Sequence, residues 1–102
     1  MEMSRLRQES MRWHVLVTLS RARPYPVSLF FLLEVIRGIY PDVTAPELRR
    51  ALDYLTESHT VSVKPEPYGS GTVSLTRLGA DLVDYTVDSL PGIAHPTKYW
   101  HD

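Results

Sequence analysis

Cysteine is absent from these 102 residues, so disulfides, thiol chemistry and cysteine-based zinc sites are excluded, and the fold must stand on packing alone. Long apolar runs are missing too. The most apolar stretch, Val27 to Tyr40, is too short to span a bilayer, carries Glu34 and Arg37, and follows two prolines. With no secretory signal in view, a cytoplasmic protein with no membrane contact is expected. Cations are not in excess: the formal net charge is −1, and only residues 1–23 are basic, with five Arg against two Glu. Residues 24–60 and 61–102 each carry three basic and five acidic groups. A nucleic-acid partner normally asks for a basic face, so any DNA contact here needs help from the N-terminal segment. Repeats and low-complexity tracts are also absent.

Catalytic signatures are missing as well. There is no G-x-S-x-G, and Gly69-Ser70-Gly71-Thr72 lies between strand-like segments rather than opening a helix, which argues against a phosphate cradle. Asp81, Asp84 and Asp88 share a helix face, read as solvated acid. His14, His59, His95 and His101 show no H-x-x-x-H spacing, so no metal site is assigned. No enzyme activity and no cofactor are expected.

What is present is a patterned stretch from Thr44 to Leu82. Thr44 and Glu47 have capping-box spacing, the Thr accepting an early amide N–H and the Glu reaching back. Leu48, Leu52 and Leu55, with Ala51, then make one apolar stripe, giving a helix over 44–58. The period changes after Ser58. Val61 and Val63 alternate with polar residues, as do Val73 and Leu75, while Pro65, Pro67, Gly69 and Gly71 form a turn between them. This predicts a β-ribbon over 60–76, followed by a helix starting at Thr76 that carries Leu78, Leu82, Val83, Tyr85 and Val87 and ends near Ser89 to Gly92.

The N-terminal half reads as two more helices. Residues 4–22 hold one stripe of Leu6, Trp13, Leu16 and Val17 and a second of Met11, Val15, Leu19 and Ala22. A surface helix needs one apolar face, so the second stripe is either buried within the subunit or offered to another one. Arg23-Pro24-Tyr25-Pro26 stops this helix. Val27-Ser28 opens the next, with Ser28 as cap, and Leu29 to Ile36 is apolar nearly all round, which places it at the centre of the core. Gly38 and Pro41 end it. The tail from Ile93 to Asp102 has no periodicity but holds Tyr99 and Trp100, which are costly to leave exposed and should dock on the domain or a neighbour.

The order helix-helix-helix-strand-strand-helix, mainly α with a small β-hairpin, resembles the winged helix-turn-helix domains of bacterial transcription regulators. Leu75, Thr76, Gly79 and Leu82 resemble the L-T-x-x-G-x-x-L pattern with which many such domains leave the second wing strand. The size and the LPGIAHPTKYW tail are similar to small winged-helix-like proteins encoded beside the terminase genes of Mu-like phages and prophages. The resemblance implies a winged-helix domain over residues 1–90 with an aromatic tail over 91–102. It also implies double-stranded DNA as partner, in a regulatory or phage-related setting, read by helix 44–58 and the wing.

Candidate DNA contacts are Thr44, Arg49, Arg50, Tyr54, Lys64, Tyr68, Ser70 and Arg77. Against them, Glu47–Arg50 and Arg49–Asp53 have the spacing of intrahelical ion pairs, and Asp53 and Glu57 would face phosphates. A homodimer is expected, with Met11, Val15, Leu19, Tyr99 and Trp100 as interface candidates. The alternative function is a protein–protein module on the same scaffold, for instance in phage assembly or DNA packaging. Surface charge separates the two: DNA binding needs the cations on one face, whereas an adaptor has them scattered or paired beside an apolar patch.

Overall fold

A computed structural model describes residues 2–66 and 69–97, with side chains over 3–66 and 71–97. In chain order they form α1 (Glu2–Arg21), β1 (Val27–Ser28), α2 (Leu29–Ile39), α3 (Ala45–Glu57), β2 (Val61–Glu66), β3 (Gly69–Leu75) and α4 (Arg77–Val83). Four helices and one three-stranded antiparallel sheet pack as a compact, mostly helical α/β domain.

The alternating segments do pair as a ribbon, with Val61 opposite Leu75, Val63 opposite Val73 and Lys64 opposite Thr72. Gly71 is required there: at φ 89° a Cβ would lie 2.6 Å from the Lys64 carbonyl oxygen, where the register shifts between Lys64 and Glu66. The expected order of elements lacked one strand. Val27–Ser28 pairs antiparallel with β3, so the sheet runs β1-β3-β2 with β3 at its centre. Ser28 nevertheless caps α2 as anticipated, its hydroxyl accepting from the Phe31 amide at 3.1 Å.

Leu16, Leu32, Ile36, Leu55, Val73 and Leu82 are fully buried where the helices meet the sheet. Each such side chain contributes about 1.5–3 kcal/mol, so this core outweighs any set of surface ion pairs. Met11, Val15 and Leu19 belong to the same core, at 2%, 0% and 2% exposure. Met11, Val15 and Leu19 therefore have no area left for another subunit, and their assignment as interface residues is corrected. Here α1 is wrapped on both sides by its own chain: it touches α2, α3, α4 and β3.

The expectation that α2 lies at the centre of the core holds on one side only. Only Leu32 and Ile36 are buried, while Phe30, Phe31 and Ile39 stand 70%, 56% and 45% exposed. At the other end of the chain, α4 is shorter than its apolar spacing suggests. Asp84 caps it, and Tyr85 at φ 61° turns the chain away after Val83.

The joint between α3, β2 and α4 explains the L-T-x-x-G residues in physical terms. Thr60, fully buried, donates its hydroxyl to the Leu55 carbonyl (3.0 Å) and accepts the Thr76 amide at its own carbonyl (3.1 Å). Thr76 donates its hydroxyl to the His59 carbonyl (2.6 Å) and accepts the Gly79 amide, capping α4. The Gly79 backbone presses so closely on this joint that a Cβ would sit 2.1 Å from the Thr60 carbonyl oxygen.

Candidate interaction surfaces

Helix α3 begins as its sequence dictates. The Thr44 hydroxyl accepts the Glu47 amide at 3.2 Å, and the Leu48, Ala51, Leu52 and Leu55 stripe is buried. The Glu47 carboxylate does not reach back to the cap. It is taken by Arg7 of α1, whose guanidinium spans Glu47 (2.7 Å) and Asp42 (3.0 Å). The hydrogen bond that Arg7 donates to Glu47, then that to Asp42, pushes the Arg7 guanidinium further up, while the same Arg7 hydrogen bond holds the Asp42 carboxyl below the ordinary range. Losing Glu47 to Arg7 removes the intrahelical partner expected for Arg50. Arg49 makes no ion pair with Asp53 either, so both arginines are exposed and unpaired among the described residues.

Unpaired is not the same as convergent. Arg50 lies in the cleft between α1 and α3, with Ser4, Arg7 and Gln8. Arg49 lies one residue round the helix, toward β2, in a cleft with Leu52, Asp53, Glu57 and Val63. Strand alternation puts Lys64 on the face of the ribbon opposite Val63, hence away from Arg49. Arg77 opens α4, 94% exposed, with Asp81 at 3.9 Å. Tyr54 is committed elsewhere: its hydroxyl donates to the Pro91 carbonyl (2.7 Å), and its ring lies 3.7 Å beneath the Arg12 guanidinium. It anchors the tail and cannot serve as a groove-reading side chain. Tyr68 and the side chain of Ser70 lie outside the described residues, as do Tyr99 and Trp100.

The other cations of α1, its following turn and α2 are largely matched. Arg23 pairs with Asp84 (3.1 Å), a hydrogen bond that pushes its guanidinium up, and Arg37 pairs with Glu34 (2.7 Å). Arg12 donates to the Gly92 carbonyl (2.7 Å). Arg21 has no ion pair among the described residues.

The tail segment up to Thr97 docks on its own domain. Ile93 is buried, and the Ala94 amide donates to the Glu9 carbonyl (3.1 Å). His95 stacks on Tyr85 (centroids 4.1 Å) beside Trp13, with Nε2 2.9 Å from the Leu82 carbonyl, so that nitrogen carries the proton. His14 packs edge-on to Tyr40, its Nδ1 2.9 Å from the Ser10 carbonyl. Both rings are thus held by structural contacts, and no cluster of three His, Asp or Glu able to hold a metal occurs among the described residues.

The feature that sequence reasoning missed is the apolar surface of α2. On one flank Phe31, Val35 and Ile39 face Val17 and Ala22 of α1 across a shallow groove with Arg21 at its rim. On the other, Leu29 and Leu33 face Leu48 and Leu52 of α3, and that strip continues past Arg49 to Val63 of the ribbon. The signal was in the composition of Leu29 to Ile36. A helix apolar all round is buried only if neighbours surround it, and this chain supplies them on one side. No protein-family model, curated protein or solved structure matches the chain.

Proposed function

We propose that this chain is a protein–protein interaction module on a winged-helix scaffold, without catalytic activity, with α2 and its flanking grooves as the contact surface. The α1-β1-α2-α3-β2-β3-α4 order, the capped third helix followed at once by a ribbon, and the Thr76–Gly79 joint support the winged-helix assignment. The observation that carries the functional reading is the contrast of surfaces. The cations are paired or point in different directions, whereas Phe30, Phe31 and Ile39 of a single helix stand open. Among the described residues three of the eight exposed large hydrophobics lie on this one helix, more than on any other element, and such clustering marks a contact site.

DNA binding is the second reading, favoured by Arg49 and Arg50, both exposed and unpaired on α3. A titration of mixed-sequence duplex against salt separates the two. The interaction module binds weakly, with little change on Arg49→Ala plus Arg50→Ala, and a photoreactive residue at position 33 links to protein. Tight binding that falls steeply with salt, and flattens in the double variant, would transfer the function to DNA.

A further inference from the structure

The α2 face has two shapes side by side. One is a ridge: Phe30 stands 70% exposed, with Glu34 one turn further along the same helix. The other is the groove between α1 and α2, lined by Val17, Ala22, Phe31, Val35 and Ile39 with His14 and Thr18 among them; its charged rim is Arg21, and it contains no carboxylate. Ridge and groove match in chemistry, apolar to apolar and Glu34 to the unpaired Arg21. Because both lie on one face, two copies can exchange them reciprocally, as a two-fold contact requires.

We propose that the occupant of the α1–α2 groove is a second copy of this chain, each copy seating its Phe30 ridge in the groove of the other. The proposal rests on the reading of the chain as an interaction module and names one partner for it. The pair Glu34–Arg37 does not stand in the way: at 2.7 Å and about half exposed on both sides, it is a surface i,i+3 contact easily exchanged for Arg21 of the second copy. The area sets the strength of the contact. At about 150–250 Å² per aromatic side chain, Phe30 and Phe31 present roughly 200–300 Å². A standard homodimer burying about 800 Å² per partner at about 65% apolar needs roughly 500 Å², and Ile39 with the partly buried Val35 and Val17 does not make up the difference, so the contact is a weak, concentration-dependent one.

Sedimentation velocity across the micromolar range tests this on the full chain. The unaltered protein should show a concentration-dependent monomer–dimer equilibrium. Phe30→Ser, at a position too exposed to disturb folding, should weaken it about 30-fold or more, as loss of a central aromatic anchor does, with an unchanged circular dichroism spectrum. Arg21→Glu and Glu34→Arg should each weaken it, and the two together should restore it. A protein that stays monomeric throughout overturns the proposal, as does a dimer indifferent to Phe30→Ser and to both charge reversals. Neither result touches the interaction-module reading, which the duplex titration and the crosslink at position 33 decide.

Discussion

Replacing Gly79 by Ala should be the most damaging single-methyl change in this protein. The added Cβ would meet the Thr60 carbonyl oxygen at 2.1 Å and a Leu75 methyl at 2.8 Å. The Leu75 side chain can rotate, but the Thr60 carbonyl is backbone at the start of β2 and already accepts the Thr76 amide. Relief therefore requires α4 to lift away from the joint. Overpacking of this kind costs about 1–3 kcal/mol. Lifting also loosens the Thr76 amide–Thr60 and Thr76 hydroxyl–His59 bonds, each contributing about 0.5–1.5 kcal/mol. Helix propensity returns about 1 kcal/mol for Gly→Ala. The net is a loss of about 1–5 kcal/mol, and the midpoint of about 3 kcal/mol corresponds to a fall in melting temperature of roughly 12–24 °C at the scaling for small domains. Gly38→Ala is the matched control. It is also helical, nothing lies within 4 Å of its Cβ position, and it should be neutral or stabilising by up to about 1 kcal/mol. Urea unfolding followed by circular dichroism at matched slopes measures both. Equal midpoints for the two variants would refute the close contact, and with it the account of why glycine follows L-T-x-x.

The tail latch has its own signature. Gly92→Ala, at φ 80° with a Cβ position 1.9 Å from the Tyr54 hydroxyl, should free the tail and speed exchange of the Ala94 amide, while Tyr54→Phe should do so more weakly, at about 0.5–1.5 kcal/mol. Unchanged exchange in both would show that Tyr54 holds nothing. The Arg7–Asp42 contact should be sensitive to acid. Because the folded Asp42 carboxyl titrates below its ordinary value, its contribution is complete above that value and is lost as pH falls through the lowered one. Asp42→Asn should therefore narrow the stability gap between neutral and acid pH, and a gap of the same size would refute the contact.

Local chemistry was legible in the sequence; competition between distant groups was not. Thr44 and Ser28 cap their helices as expected, because a cap is decided within three residues, and Thr76, expected to start α4, is its cap. The ribbon was legible through its period of two, whereas β1, at two residues, has no period to read. The Glu47–Arg50 pair expected within α3 failed because Arg7, forty positions from Glu47, offers that carboxylate a bidentate grip. The end of α4 was misplaced since Tyr85 and Val87 fit a helical spacing, yet Tyr85 is drawn out of the helix to stack on His95. Likewise, composition shows that α2 is apolar but cannot show that the chain has too few neighbours to cover it. The candidate DNA contacts could be placed on their elements from the sequence, whereas the directions of their side chains are set by tertiary packing.

A two-residue strand has a mechanical consequence. Val27 and Ser28 fasten the segment joining α1 and α2 to the middle strand of the sheet, so the hairpin cannot hinge without pulling on the helices upstream. The ribbon should therefore melt together with the helical half, and slow-exchanging amides at Val27 and Val73 should share one opening free energy. Any binding event that tilts the ribbon would be felt at Phe31, within a turn of helix from that fastening.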